Sequence, residues 1–352
     1  MIKILHSADW HLDSPLRGFT DGQREALHQA LLAVPEKLAA LCCAEHCDLV
    51  LLAGDLFDGA YTRQSYQALY SALEEMAVPV FITPGNHDFA NMQSLWLTEK
   101  WPENVHIFTR PVIESVDLPD LNCRIYGAGF TGMDCAALLT DFRAQRDDRI
   151  PIGIFHGDPA TAGSPYNPVT RQQIQLSGLQ YLALGHIHKQ GSIMAGNTLC
   201  AWPGCPMGRG YDEQGEKGAL LVTLEEQVSA RFVPLDTPRF YDLQCNPENL
   251  DTVLPAAGSD DYYRITLTGM WNGPDADALK KQFSQFPNLE LRDNTIPPVD
   301  VWERAGRDNF EGIYFGLLKQ AWETASEPEK DEILLAAELS QQLLEGQEVV
   351  LP

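Results

Sequence analysis

Over the first 235 residues, short apolar runs alternate with amphipathic stretches. Ile2 to His6 reads as a buried strand. Leu27, Leu31, Val34, Leu38 and Leu41 recur at steps of three and four, the spacing of a helix face. Asp48–Ala53 then reads as a buried strand, Thr62–Met76 as a second helix and Val78–Thr83 as a third strand. This alternation predicts an α/β fold with parallel pairing and covering helices. Further strands are expected at Cys123–Gly127, Ile150–Phe155 and Tyr181–Leu184. After Gly191 the pattern changes to strands joined by turns, at Thr198–Trp202, Ala219–Leu224 and Ser229–Pro234.

A boundary is expected near Asp236-Thr237-Pro238, which gives a first domain over 1–235. Beyond it, Arg239–Cys245, Tyr262–Thr268 and Leu289–Arg292 read as strands, with helices at Pro247–Leu254 and Asp275–Phe286. That is a small α+β domain over 236–298, ending at a linker, Ile296-Pro297-Pro298. Residues 299–352 read as a helical tail, with Phe310, Tyr314, Leu317 and Leu318 on one face and a second helical segment from Ile333 to Leu344. Such a stripe either packs on its own domain or receives a partner helix.

Hydrophobic residues make up 44 % of the 352, enough for a large core. No run approaches the ~20 apolar residues of a membrane span. The first residues turn polar too soon for a signal peptide, so a cytoplasmic protein is expected. The 8 cysteines are scattered apart from Cys42, Cys43 and Cys47, which fall in a helical pattern and read as buried reduced thiols. Net charge is −24, with 49 acidic and 25 basic residues, which argues against a broad basic face for nucleic acid. It leaves a nuclease open, because bound divalent cations reverse the local potential where a phosphate sits. Residues 236–352 hold 22 acidic and 9 basic residues, so contact with a polyanion is expected from the first part of the chain.

The chemistry lies in the turns that follow the strands: Asp9-Trp10-His11, Gly54-Asp55-Leu56-Phe57-Asp58, Gly85-Asn86-His87-Asp88, His156, and Gly185-His186-Ile187-His188. In open α/β sheets, loops at the carboxyl ends of strands converge on one crevice. In Asp9-x-His11 and His186-x-His188, side chains two residues apart point to the same side of an extended stretch. Gly54 and Gly85 permit sharp turns with no Cβ to obstruct a ligand. Asp9, His11, Asp55, Asn86, His156, His186 and His188 are the eligible metal ligands, more than one open catalytic ion needs. Two ions are therefore expected, with Asp55 able to bridge them. Such a pair can activate a water between them for in-line attack on phosphorus. Mixed carboxylate, imidazole and amide donors suit Mn, Fe or Zn better than Ca or Mg. His87 is left over, free to protonate a leaving oxygen or to stabilise charge on the phosphate, with Asp88 to orient it.

These motifs, in this order, resemble the signature of the calcineurin-like metallophosphoesterases. His6-Ser7-Ala8-Asp9-Trp10-His11-Leu12-Asp13-Ser14-Pro15-Leu16, Tyr181 to Lys189, Pro203-Gly204-Cys205-Pro206 and Gly208 to Gly218 are similar to the bacterial DNA-repair exonuclease branch, that of the SbcCD nuclease subunit and Mre11. The resemblance covers 1–235 well and the later region less securely. It implies two stacked mixed β-sheets flanked by helices, a capping domain, and a tail that binds a coiled-coil ATPase of the SbcC/Rad50 kind. It implies one ion on Asp9, His11, Asp55 and His188, and the other on Asp55, Asn86, His156 and His186, with His87 catalytic. It further implies manganese-dependent cutting of DNA and a possible homodimer. An enzyme for small phosphate esters, which the acidic balance favours, and a metal-bearing scaffold of an ATPase complex are the alternatives.

The surrounding residues have competing readings. Trp10 either stacks on a base or packs in the core. Arg17 and Arg209, like Arg63 and Lys189, either bind phosphate or sit solvated or locally paired. Asp58 is either a carboxylate behind the ligands or a helix cap. His6 reads as strand core, and the Ser164–Pro168 loop either shapes the cleft or is an ordinary rigid turn.

Overall fold

A computed structural model describes residues 1–297 and 300–346, and the expected linker's Pro298 lies outside them. The chain divides into two compact units. One comprises Met1–Leu243, Pro255–Thr266 and Lys280–Arg292; the other holds Gln244–Leu254, Leu267–Leu279 and the described residues from Asp293 onward.

The strands, in chain order, are β1 (Ile2–Ser7), β2 (Leu49–Leu52), β3 (Val80–Ile82), β4 (Val105–Ile107), β5 (Glu114–Leu118), β6 (Cys123–Gly127), β7 (Ile150–His156), β8 (Tyr181–Gly185), β9 (Gly191–Ala195), β10 (Thr198–Trp202), β11 (Gly218–Leu224), β12 (Val228–Pro234), β13 (Phe240–Cys245), β14 (Tyr262–Leu267) and β15 (Leu289–Asp293). The first sheet runs β12-β11-β1-β2-β3-β4 and the second β5-β6-β7-β8-β10-β9; a three-stranded sheet runs β13-β14-β15. Both large sheets are mixed. β1, β2, β3 and β4 pair in parallel, as do β6, β7, β8 and β10, while the outer partners are antiparallel.

Strand alternation explains why the two sheets stack. In β2, Leu49 and Leu51 join Ile4 and Phe81 in one core with Ile125, Ile152, Ile154 and Tyr181 of the second sheet. Val50 and Leu52 point the other way, into a core with Leu31, Leu38, Leu69 and Leu73 of the covering helices. On the far side, Phe155, Leu182 and Leu184 pack against Ile174 and Leu139. A strand buried on both faces must be apolar throughout, so β2 reads Leu-Val-Leu-Leu with no polar position. His6 sits fully buried in β1, its Nδ1 2.8 Å from the Tyr181 hydroxyl and its Nε2 3.1 Å from the Leu184 carbonyl. Burial pushes its imidazole down to about 3.

The fold corrects several expectations. The helical stretch from Leu27 to Leu41 is two helices, Asp21–Leu32 and Val34–Ala44. Pro35 lacks an N–H and its ring clashes with the preceding turn, so the first helix stops and a second starts. Cys43 is exposed, unlike Cys42 and Cys47, and Cys47 lies past the helix end. Strands β4, β5 and β9 went unpredicted. All three are sheet edges with half-exposed patterns, and an edge strand needs no continuous apolar run. The helix expected over Pro247–Leu254 is a 3-10 turn, Pro247–Asn249, followed by Leu250–Val253.

In the second unit, helices Phe310–Thr324 and Glu327–Leu344 pack on one another through Phe315, Leu318 and Ala337, with Val301 in the same cluster. The four residues expected on one face divide. Tyr314 and Leu318 turn inward, whereas Phe310 and Leu317 are 77 % and 63 % exposed. Among the described residues, no helix is long and apolar enough to cross a membrane.

Candidate metal centre

Asp9 and His11 follow β1, Asp55 follows β2, Asn86 and His87 follow β3, His156 ends β7, and His186 and His188 follow β8. The carboxyl ends of parallel strands from both sheets thus deliver all seven expected ligands to one place. Nε2 of His156 lies 3.0 Å from Asn86 Oδ1 and 3.3 Å from Asp55 Oδ2. His186 Nδ1 is 3.2 Å from the same Asn86 oxygen. His11 Nε2 is 3.1 Å from His188 Nε2 and 3.8 Å from Asp55 Oδ2. Asp9 groups with His11 and His188 on one side and with Asp55 and His156 on the other.

Hydrogen bonds behind these side chains decide which nitrogens face the site. His156 Nδ1–H donates to the Ala53 carbonyl at 2.9 Å, which turns Nε2 toward Asn86 and Asp55. Burial opposes a charge on His156, but the Asp55 carboxylate raises its imidazole to about 9, so a proton at Nε2 balances the buried carboxylate until a divalent cation takes its place. His188 Nδ1–H donates to Glu213 at 2.6 Å and turns Nε2 toward His11, a spacing that metal–nitrogen bonds of about 2.0–2.1 Å can span. The residues present therefore fit divalent ions, and Asp55 Oδ2 lies between the two groups of donors.

The backbone is bent to achieve this. Asp9, His11 and Asp55 have φ of 56°, 49° and 52°, and His186 has φ of 104°, all in the left-handed region that non-glycine residues avoid. Such conformations persist only where the surroundings impose them, and they gather at functional sites. Asp9 is held by the His186 N–H, at 2.9 and 3.0 Å to its two oxygens.

His87 stands at the mouth of the site, its side chain 45 % exposed, with Nδ1 2.7 Å from Asp58 Oδ1. His11 and His87 hold the Asp58 carboxyl below the usual carboxylate range, and Asp58 in turn raises the His87 imidazole above its ordinary value. Asp88 does not orient His87, contrary to expectation. Its buried carboxylate accepts the N–H groups of Gly85 (2.7 Å), Leu56 (2.8 Å) and Phe57 (3.3 Å), tying two signature turns together. Asp58 holds the orienting position instead and is no helix cap, since Thr62 caps the next helix.

Glu213 was not singled out in the sequence, although it lies within the Gly208–Gly218 stretch. It is buried and accepts from His188 Nδ1, from the Arg209 backbone N–H at 2.8 Å and from the Arg209 guanidinium at 2.7 Å. Burial opposes its charge, but His188 and Arg209 hold the carboxyl well below its usual range. Arg209 is thus engaged with Glu213. Arg17 is exposed and lines a shallow hollow with Arg209, Tyr211 and Arg264. Trp10 is fully buried, its Nε1–H donating to Ser7 Oγ at 2.9 Å, so it packs in the core and offers no ring to a base. Arg63 pairs with Glu99 and Lys189 is exposed. The Ser164–Pro168 loop does reach the site: Tyr166 lies over His186 at 4.8 Å, and Asn167 Nδ2–H donates to the His156 carbonyl. Replacing Glu213 by Gln is expected to weaken metal binding about 10- to 100-fold, because the acceptor that aims His188 loses its charge. Titration of the apoprotein with Mn²⁺ followed by calorimetry checks this.

Two stacked mixed sheets that bring imidazole, carboxylate and amide donors to one crevice define a metallophosphoesterase. The chain belongs to the calcineurin-like phosphoesterase family, whose sequence profile matches residues 2–190. It is 32 % identical over 234 residues to the uncharacterized metallophosphoesterase YhaO of Bacillus subtilis (strain 168), a match covering 63 % of this chain and 57 % of YhaO. The chain thus matches less than two thirds of that relative's length. It is 31 % identical over 333 residues to SbcD, a component of the nuclease SbcCD, from Staphylococcus saprophyticus, covering 84 % of this chain and 85 % of that protein. Among solved structures, a purple acid phosphatase from yellow lupin aligns with a TM-score of 0.42 at 14 % identity, over 66 % of this chain and 51 % of that one.

Proposed function

We propose that this protein is a manganese-dependent DNA phosphodiesterase that works in DNA repair with a coiled-coil ATPase partner. The observation that carries the reading is the facing set of Asn86 Oδ1, His156 Nε2 and Asp55 Oδ2, with His87 and its Asp58 partner beside it. Asp9, His11, Asp55 and His188 would hold one ion, and Asp55, Asn86, His156 and His186 the other. When bound, the ions supply charge neutralisation at the phosphate and activation of water; Mn²⁺ is the favoured metal, with Fe²⁺ or Zn²⁺ the alternatives.

The chain's own groups do the rest. Burial of Asp9, Asp55 and His156 keeps bulk water from the ligands. Asp58 fixes the His87 ring through Nδ1, so its Nε2 is free to pass a proton to the departing oxygen. Glu213 and the Ala53 carbonyl hold the His188 and His156 rings with Nε2 turned to the site, the orientation that binding needs.

The name of the Staphylococcus relative, part of a nuclease, supports DNA as substrate and an SbcC-like ATPase as partner. Phe310, Ile313 and Leu317 are exposed along one side of their helix and support the tail over 299–352 as the ATPase-docking segment. A homodimer and a cytoplasmic location complete the proposal. A second reading, hydrolysis of small phosphate esters, is favoured by the net charge of −24.

Hydrolysis of a labelled DNA oligonucleotide and of bis-p-nitrophenyl phosphate, with Mn²⁺ and then with EDTA, separates the two. The expected outcome is cutting of both substrates with Mn²⁺ and of neither with EDTA. Turnover of the small diester alone would favour the second reading, and no metal-dependent turnover of either would overturn both.

A further inference from the structure

A cavity of about 410 Å³ opens beside His87. Its walls come from the turns that continue two of the signature motifs: Gly59 to Tyr61 after Asp58, and Phe89 to Leu95 after Asp88. Its walls therefore continue the same turns that carry candidate ligands. Tyr61 and Phe89 supply aromatic surface, Leu95 a buried apolar floor, and Asn91 and Gln93 amide groups at an exposed rim. Tyr61 is held in place by its hydroxyl, which donates to Glu99 Oε1 at 2.9 Å, and by a T-shaped contact with Phe57.

The lining discriminates between ligand chemistries. Among the described residues, no lysine or arginine contributes to it, and the Asp88 carboxylate is occupied by backbone N–H groups. Apart from the His87 ring, a second phosphate would find no cation there. A flat heterocycle would find rings to stack on and amides to bond its polar edge, in a volume within the range of small-molecule sites.

Location decides which part of a substrate reaches it. Nδ1 of His87 is engaged by Asp58, so any proton His87 gives up leaves from Nε2. Because His87 itself lines this cavity, a group that takes its proton would depart within reach of it. We propose that the cavity is a base-binding subsite, receiving the nucleobase of the nucleotide on the leaving side of the scissile phosphate. This rests on the reading of DNA as substrate and of His87 as proton donor.

The test uses the full chain with Mn²⁺ and three short diesters: a dinucleotide, and the same dinucleotide with an abasic tetrahydrofuran residue on one side or the other. Wild-type protein is expected to cut one of the two abasic diesters roughly ten- to hundredfold more slowly than the intact one, the scale of one base stacked on an aromatic ring. Phe89→Ala and Tyr61→Ala are each expected to shrink that difference toward unity, with bound metal, measured by elemental analysis, retained. Equal cutting of all three diesters by the wild type overturns the subsite, and that comparison needs no variant. Variants that slow all three diesters by the same factor overturn it too. Turnover of bis-p-nitrophenyl phosphate with none of any nucleotide diester would instead bring down the DNA reading, and the subsite with it.

Discussion

Replacing His87 with Ala is expected to lower phosphodiester turnover about 100- to 10,000-fold while both metal ions stay bound. The side chain stands at the rim of the site, bonded through Nδ1 to Asp58, and is not among the atoms that converge around Asn86 and Asp55. What His87 contributes to the Asp55 ligand is its backbone N–H, which donates to Oδ1 at 2.8 Å and survives truncation. The loss should therefore fall on kcat, with metal content unchanged. Asp58→Asn should give a smaller loss, because an amide still reaches Nδ1 but no longer stabilises the charged ring. Steady-state kinetics beside elemental analysis decides the matter. Full turnover by a metal-loaded His87→Ala protein would remove His87 from the chemistry.

Gly85→Ala should have an effect of comparable size by a different route. A Cβ at this position would lie 2.2 Å from Asp55 Oδ1 and 2.7 Å from the Asp55 backbone nitrogen. Asp55 is 1 % exposed and hydrogen-bonded on several sides, so it has nowhere to retreat. Because its carboxylate lies between the two groups of donors, displacing it should cost the centre both ions and nearly all activity. Overpacking of this kind also destabilises the fold by about 1–3 kcal/mol. Gly22→Ala is the control, since an added Cβ there meets nothing within 4 Å. Metal content and Tm of the two variants should diverge sharply; a metal-replete, active Gly85→Ala protein would mean that the Asp55 turn is more pliable than its packing indicates.

The convergence of the candidate ligands was legible in the sequence because their positions are local. Each follows an apolar strand within a few residues, and parallel strands of a sheet must put such turns at one edge. The two-sheet stack was not legible from periodicity. It came from resemblance, because Leu49 and Val50 look alike as apolar residues although one faces the other sheet and the other faces helices. The helix break at Ala33 was present as Pro35 but hidden beneath an unbroken apolar spacing.

By itself, then, the sequence determined which candidate ligands the strand ends carry and which segments form the buried strands, since both depend on short-range pattern. Tertiary structure alone decided the partners of those residues. Asp58 and Asp88 lie at similar places in their motifs, yet only Asp58 meets the His87 ring, because Asp88 turns back to bind the N–H groups of Gly85 and Leu56. Glu213 reaches His188 across 25 residues, and Trp10 turns away from the site between two residues that face it. A hydrogen bond over such a distance depends on where the folded strands set their loops down, and no spacing along the chain encodes that.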